Sequence, residues 1–270
     1  MKRKMRKADK PRVVAVRFTK VQFMVLSLAE RELLIRVGLA QNDLLLMQRL
    51  WGAHYYRTPR TTLTRSMQAV HSVALLLILI GKLFEGLLIF EKLFHKQRFH
   101  PAYLNQFTQK QRTAVTTLKS LLGTGSLLAK IRNQFAFHYP HANLSEMMDE
   151  WANNKILIIY FGDPDANTLN AYAAEAFLGS LMKLTNRATP NDTLRHIQNE
   201  ALAALVAYNS FVAGVQMVAI RRMCGTRIKT EMCTIRATQF LPHDEFALPF
   251  LMGTPSSYHP PADRRRPGRG

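Results

Sequence analysis

Cysteine is nearly absent from this chain. Cys224 and Cys233, nine positions apart, form neither a disulfide framework nor a CxxC pair, which argues against a stapled secreted domain and fits a reducing cytoplasm. Ready-made catalytic loops are missing as well: there is no Walker loop, GxGxxG, HExxH or GxSxG. Metal-ligand spacing is also lacking. His138 and His141 are three apart, but Pro140 lies between them, so no metal and no cofactor is expected. Long apolar runs are scarce. The most hydrophobic segment spans 73–90, and its unbroken run from Val73 to Ile80 is eight residues before Lys82 and Glu85 interrupt it. A membrane span wants about 20 such residues, so a buried helix of a soluble protein is expected instead. The basic N-terminus is not followed by a short apolar core with a small-residue cleavage site, which argues against a signal peptide.

Acidic residues are scarce too. Against 37 Lys and Arg stand 18 Asp and Glu, a net charge of +19 in 270 residues. That imbalance predicts attraction to polyanions. Residues 2–12 carry +6 and residues 263–270 carry +3, leaving +10 on the body. Residues 49–65 and 92–112 contain bases and no acids. Residues 141–175 reverse the sign, with six carboxylates facing only Lys155. The composition predicts a basic disordered arm over 1–18, a helical domain over 19–224 with its core at 61–223, and an irregular basic tail over 225–270.

What is present is mostly helical periodicity. Thr19 caps an expected helix to about Val37, Gly38 breaks it, and Asn42-Asp43 opens a second helix to about Tyr56. The third and longest runs from Thr61 to about Phe94. Leu63, Met67, Val70, Ala74, Leu77, Gly81, Phe84 and Leu88 mark its expected core face. A fourth spans about Asn105 to Leu122. After the break at Gly123-Thr124-Gly125, Ser126 caps a short helix expected to run from Leu127 to His138, packed antiparallel on the third. The segment 155–161 is the best strand candidate, with Ile228 to Thr238 as its expected partner. Helices from Asn167 or Thr168 to Leu184, and from Pro190 to Met223, complete the reading. Leu194, Ile197, Leu205, Tyr208, Val212, Val215 and Ala219 form one face of the last. The fold class is mainly α, with a small β insertion after the short helix.

The short helix carries the one spacing that resembles chemistry. Pro140 disfavours helix at Tyr139, so His138 falls in the expected last turn, six residues after Arg132. His138 can act as base or acid near neutral pH. Arg132 can grip phosphate oxygens with a planar fork. Asn133 can bind a phosphate oxygen or hold the imidazole in one tautomer. Six residues leave Arg132 and His138 about 120° apart on an ideal helix. Either the arginine reaches round, the turn is distorted, or two chains share a site.

Arg132-Asn133 followed by His138 resembles the R-X4-6-H motif of HEPN domains, all-helical and usually dimeric domains of metal-independent RNases in toxin–antitoxin, CRISPR and phage-defence systems. The resemblance covers about 61–223. It implies an HEPN-like antiparallel helical bundle, a homodimer with the two motif helices near its axis, and a cytoplasmic endoribonuclease. Arg132, Asn133 and His138 would be catalytic, with Tyr139 and Glu85 in support. One departure stands out. The toxin subgroup carries its tyrosine two places after the histidine, where this chain has Pro140, while Tyr139 lies one place earlier. That weakens the further implication of a neutralising, tyrosine-modifying partner protein.

Arg and His near a helix end also stabilise its negative pole without any catalytic role. Three functions therefore stay open on the sequence: an HEPN-type ribonuclease, a non-catalytic RNA-binding module on the same fold, and a helical interaction protein with sticky basic ends.

Overall fold

The computed structural model describes residues 13–55, 61–95, 99–135, 156–161, 169–225 and 228–233. The chain is mainly helical. In order come β1 (Val13–Arg17), α1 (Lys20–Met24), α2 (Leu28–Tyr55), α3 (Thr62–Ile89) with a π-helical turn (Phe90–His95), α4 (Phe99–Leu104), α5 (Gln109–Leu122) and α6 (Leu127–Gln134). Then follow β2 (Ile159–Tyr160), β3 (Leu169–Asn170), α7 (Ala171–Thr185), α8 (Pro190–Cys224) and β4 (Lys229–Cys233).

Side-chain caps set most of the helix starts. Thr61 with Thr64, and Thr108 with Gln111, form reciprocal capping boxes at α3 and α5. Thr189 accepts from the Asp192 N–H ahead of Pro190 at the head of α8. Ser126 caps α6 as its position predicts, accepting from the Ala129 N–H at 3.1 Å. Asn186, left-handed at φ 51, closes α7.

Helix α8 is the centre of the bundle. It packs against each of the other seven α-helices among the described residues. The face expected from its periodicity is the buried one: Ile197, Leu205, Tyr208, Val212, Val215 and Ala219 are all within the core, and Leu194 packs at its edge. Small residues let neighbours approach. A Cβ on Gly214 would lie 3.0 Å from the Phe107 ring, and one on Gly86 of α3 would lie 2.7 Å from the Tyr208 ring. Around Phe211 the rings of Phe90, Phe94 and Phe107 meet at 4.9, 5.2 and 6.4 Å, largely edge to face.

Several expectations are corrected. Gly38 does not break a helix; α2 runs through it, and the interruption comes earlier, at Val25–Ser27. Ser27 and Glu30 form the capping box that starts α2. The Ser27 N–H donates to Glu30 Oε2 at 3.0 Å and the Glu30 N–H to Ser27 Oγ at 3.3 Å. A glycine within a helix costs only about 1 kcal/mol, which packing along α3 and α8 outweighs. On α3 the core stripe is Val73, Leu76, Ile80, Leu83 and Leu87; of the expected face Met67 and Gly81 are buried, while Ala74 and Leu88 are exposed. The segment is apolar all round, so periodicity could not select a face. Ser72, Gly81 and Gly86 all lie on the buried side, and Gly86 admits Tyr208 there.

The strands also pair otherwise than expected. Ile159 and Tyr160 pair with Asn170 and Leu169, a two-residue ladder. The expected partner region supplies β4 instead to β1, with Val13 opposite Cys233 and Arg17 opposite Lys229, antiparallel. The stretches expected as arm and tail therefore each contribute a strand. Among the described residues, two helical segments, 62–92 and 190–224, are long and apolar enough to cross a membrane by length and composition, and 50% and 56% of their most apolar windows are buried inside the fold.

Candidate functional site

Helix α6 presents the sequence motif. Leu128, Ala129 and Ile131 turn into the core, and Lys130, Arg132, Asn133 and Gln134 face solvent. The helix ends at Gln134, four residues short of the expected end. Phe135 leaves helical geometry at φ −133, and its N–H donates to the Ile131 carbonyl at 2.8 Å. Its ring packs edge-on against Phe177 of α7 at 4.9 Å. Ile131 and Phe135 thus anchor the turn that holds Arg132 and Asn133 outward. Arg132 Nη1 donates to Asn133 Oδ1 at 3.0 Å, which pairs the two motif side chains on the surface. His138 and Tyr139 lie outside the described residues.

Glu85 is engaged elsewhere. Lys82 Nζ bridges Glu85 at 2.9 Å and Asp43 of α2 at 3.4 Å. The hydrogen bond to Glu85, with the nearby carboxylate charges, raises the Lys82 ammonium above its ordinary range despite partial burial. These groups line a shallow cleft of about 200 Å³ with Arg36, Leu39, Ala40 and Ile89. All come from α2 and α3, and the ion-pair partner of Glu85 there is Lys82. Lys82 is pinned between two carboxylates rather than simply reaching for water.

A buried polar knot escaped the sequence reading. Glu30 is 1% exposed and ties three helices together. It receives Tyr103 Oη of α4 at 3.0 Å, the Ser27 hydroxyl at 2.9 Å, and the guanidinium of Arg222 from the end of α8. Burial alone would raise the Glu30 carboxyl; the Ser27 and Tyr103 hydrogen bonds and the Arg222 charge outweigh it and hold the group below the usual carboxylate range. Burial and the same carboxylate push the Tyr103 hydroxyl up. The readable signal was Ser27-x-x-Glu30 ahead of an apolar run. The two distant partners leave no local signature.

Other titratable groups have structural settings. The rings of His54 and His71 lie 4.8 Å apart between α2 and α3, and burial lowers the His71 imidazole. A second, polar cleft of about 450 Å³ opens where α7 meets α8, lined by Arg187, Arg195, His196 and Asn199 together with Asp192. Its two guanidiniums make it suited to phosphate oxygens. Among the described residues, no group of three or more His, Cys, Asp or Glu is placed to hold a metal ion.

No family model matches the chain, and neither a curated protein nor a solved structure shows significant similarity to it.

Proposed function

We propose that this protein is an HEPN-type endoribonuclease on an HEPN-like helical bundle, cytoplasmic, without a membrane span, and acting on RNA in defence or stress. The observation that carries the reading is the exposed Arg132–Asn133 pair, held out by a turn anchored at Ile131 and Phe135, six residues before His138 in sequence. The overall +19 charge supports a polyanionic substrate.

The chemistry needs no metal. His138 takes the proton from a ribose 2′-OH, the freed oxygen attacks the adjacent phosphorus, and the 5′-oxygen leaves with a proton returned from the imidazole. Arg132 stabilises the extra negative charge on the phosphoryl oxygens. Asn133 holds the Arg132 guanidinium through the contact already present and can bind a phosphate oxygen. The products are a 2′,3′-cyclic phosphate and a 5′-hydroxyl.

Incubation of the purified protein with total RNA in EDTA tests the reading. Wild type is expected to cut and leave cyclic-phosphate ends, and His138→Ala is expected not to cut. RNA binding without cleavage would instead favour a non-catalytic binding module. Cleavage that needs added divalent metal, or that survives in His138→Ala, would remove Arg132 and His138 from the catalytic role.

A further inference from the structure

Helix α2 is apolar on two opposite sides. One side faces the core through Leu33, Val37, Leu44 and Trp51. On the other, Leu28, Ile35, Leu39 and Leu46 are 69%, 53%, 62% and 50% exposed. At about 100° per residue these four fall within roughly 20° of a single line along the helix. Ahead of the break that starts α2, Val21, Met24 and Val25 are also more than half exposed, and the Met24 sulfur lies against Arg31 Nη1 on the flank of the stripe at 2.6 Å. At roughly 100 Å² apiece, these seven side chains offer about 700 Å², close to the ~800 Å² per partner of a specific interface.

We propose that this face of α2 is a homodimer interface, with two copies pairing in parallel about a two-fold axis that runs along the helix. The flanking charges select both the occupant and the orientation. Glu32 lies on one flank of the stripe, about 40° round, with Asp43 at about 60° in its bridge to Lys82, and Arg31 and Arg49 lie about 60° round on the other. Arg36 sits farther out, at about 80° on the acidic flank. A parallel two-fold pair sets the acidic flank of one chain beside the basic flank of its copy, so Glu32 meets the partner's Arg31 on both sides. An antiparallel pair would set acid against acid. An anionic lipid surface wants bases on both flanks and no carboxylates. Asn42, exposed and about 40° off the line, meets its own copy, the device by which one polar residue fixes register between helices.

This places the dimer axis away from the motif helix, contrary to the expectation from the resemblance. The exposed residues of α6 are Lys130, Arg132, Asn133 and Gln134, which offer cations and amides to a copy of themselves and no apolar area. The proposal does not rest on the ribonuclease reading, and cleavage is scored separately in the same preparations.

Light scattering at high micromolar concentration is expected to give twice the chain mass for wild type and one chain mass for Leu39→Glu/Leu46→Glu. Helix content should be unchanged, because both side chains are solvent-exposed on the single chain, while the melting temperature should lose the dependence on protein concentration that a dimer confers. In a background of Cys224→Ser and Cys233→Ser, Leu28→Cys and Leu46→Cys should each oxidise to a covalent dimer with itself. In an antiparallel pair the two copies of residue 28 would lie about 27 Å apart and could not. A monomeric wild type overturns the proposal, as does a glutamate variant that stays dimeric. So does a cysteine pair that refuses to link, or a wild type that is monomeric in solution yet binds phosphatidylserine vesicles through this face. Absent RNA cleavage with an intact, Leu39-dependent dimer would sink the ribonuclease reading and leave this interface standing.

Discussion

Glu30 and Arg132 are both charged residues on helical turns beside the core, and the fold treats them in opposite ways. Glu30 is sealed in, with partners from its own capping box and from two distant helices. Arg132 is exposed, and its side-chain partner is the next residue along the chain. A carboxylate surrounded on all sides binds helices together and can do little else. An arginine held outward by a well-packed turn adds little to the fold and is available to a ligand. If that contrast is right, substitutions at the two places should separate stability from activity.

The largest effect is expected at the exposed pair. Arg132→Ala should lower RNA cleavage by about 10²–10³-fold, the usual loss when one transition-state donor is removed. Its melting temperature should stay within about a degree of wild type, since an exposed side chain bonded to its sequence neighbour adds little to stability. Arg132→Lys should fail nearly as badly, because a point charge cannot reproduce the bidentate fork. Asn133→Ala should lose less activity than either. A drop in helix content on Arg132→Ala would show that the pair props up the fold, and the contrast with Glu30 would collapse.

The knot should behave in the reverse way. Glu30→Ala removes a helix cap and the acceptor for Tyr103 and Arg222, at a cost of about 3 kcal/mol. Tyr103→Phe removes one hydrogen bond and should cost about 1 kcal/mol. Neither should change cleavage per folded molecule. Urea titration at neutral pH measures both, and a Glu30→Ala protein as stable as wild type would mean that the knot is ornamental.

A smaller loss is expected where α3 meets α8. The Cβ of Gly86→Ala would sit 2.7 Å from the buried Tyr208 ring, so one of the two helices has to shift. Overpacking of this kind costs about 1–3 kcal/mol, partly offset by the roughly 1 kcal/mol that alanine gains over glycine in a helix. Gly38→Ala has open space around its Cβ, so the same substitution there should stabilise. Opposite signs for the two glycines in one denaturation series would confirm that contact, rather than propensity, decides.

Those glycines also show how much of the fold was legible. The capped starts of α3 and α6, the proline-led start of α8 and its buried face were readable, because caps and a 3.6-residue period are local. Gly38 misled because a glycine says nothing about whether a helix can run through it. The α3 face misled in part because a segment apolar on every side has no phase; the buried side is the one where Gly86 meets Tyr208 of α8, over 100 residues away in the chain. The pairing of β1 with β4 was hidden for the same reason, since both strands sit in stretches whose charge and proline content suggested arms. At the candidate site, the place of Arg132-Asn133 late in a Ser126-capped helix was readable from local signals. The early end of α6 was not: Phe135 leaves helical geometry and packs on Phe177 of α7, a contact with no local signature.

The smallest effect is a pH dependence of stability, and it has two separate windows. Burial lowers His71 from its ordinary 6.5, so the unfolded chain binds a proton there more readily than the folded one. Its contribution is present above about pH 6.5 and is lost as the pH falls through the lower folded value. Glu30 is held below its ordinary 4.5. Its contribution is present above about 4.5 and is lost only in stronger acid. Melting temperatures between pH 8 and pH 5 should therefore decline gently in wild type and less in His71→Gln, with Glu30→Ala parallel to wild type over that range. Below pH 4.5 the order should reverse: wild type and His71→Gln should fall together, while Glu30→Ala, already destabilised, should flatten. If His71→Gln keeps the full decline between pH 8 and pH 5, then the burial of His71 is not what opposes protonation, and the proton uptake on unfolding belongs to another group.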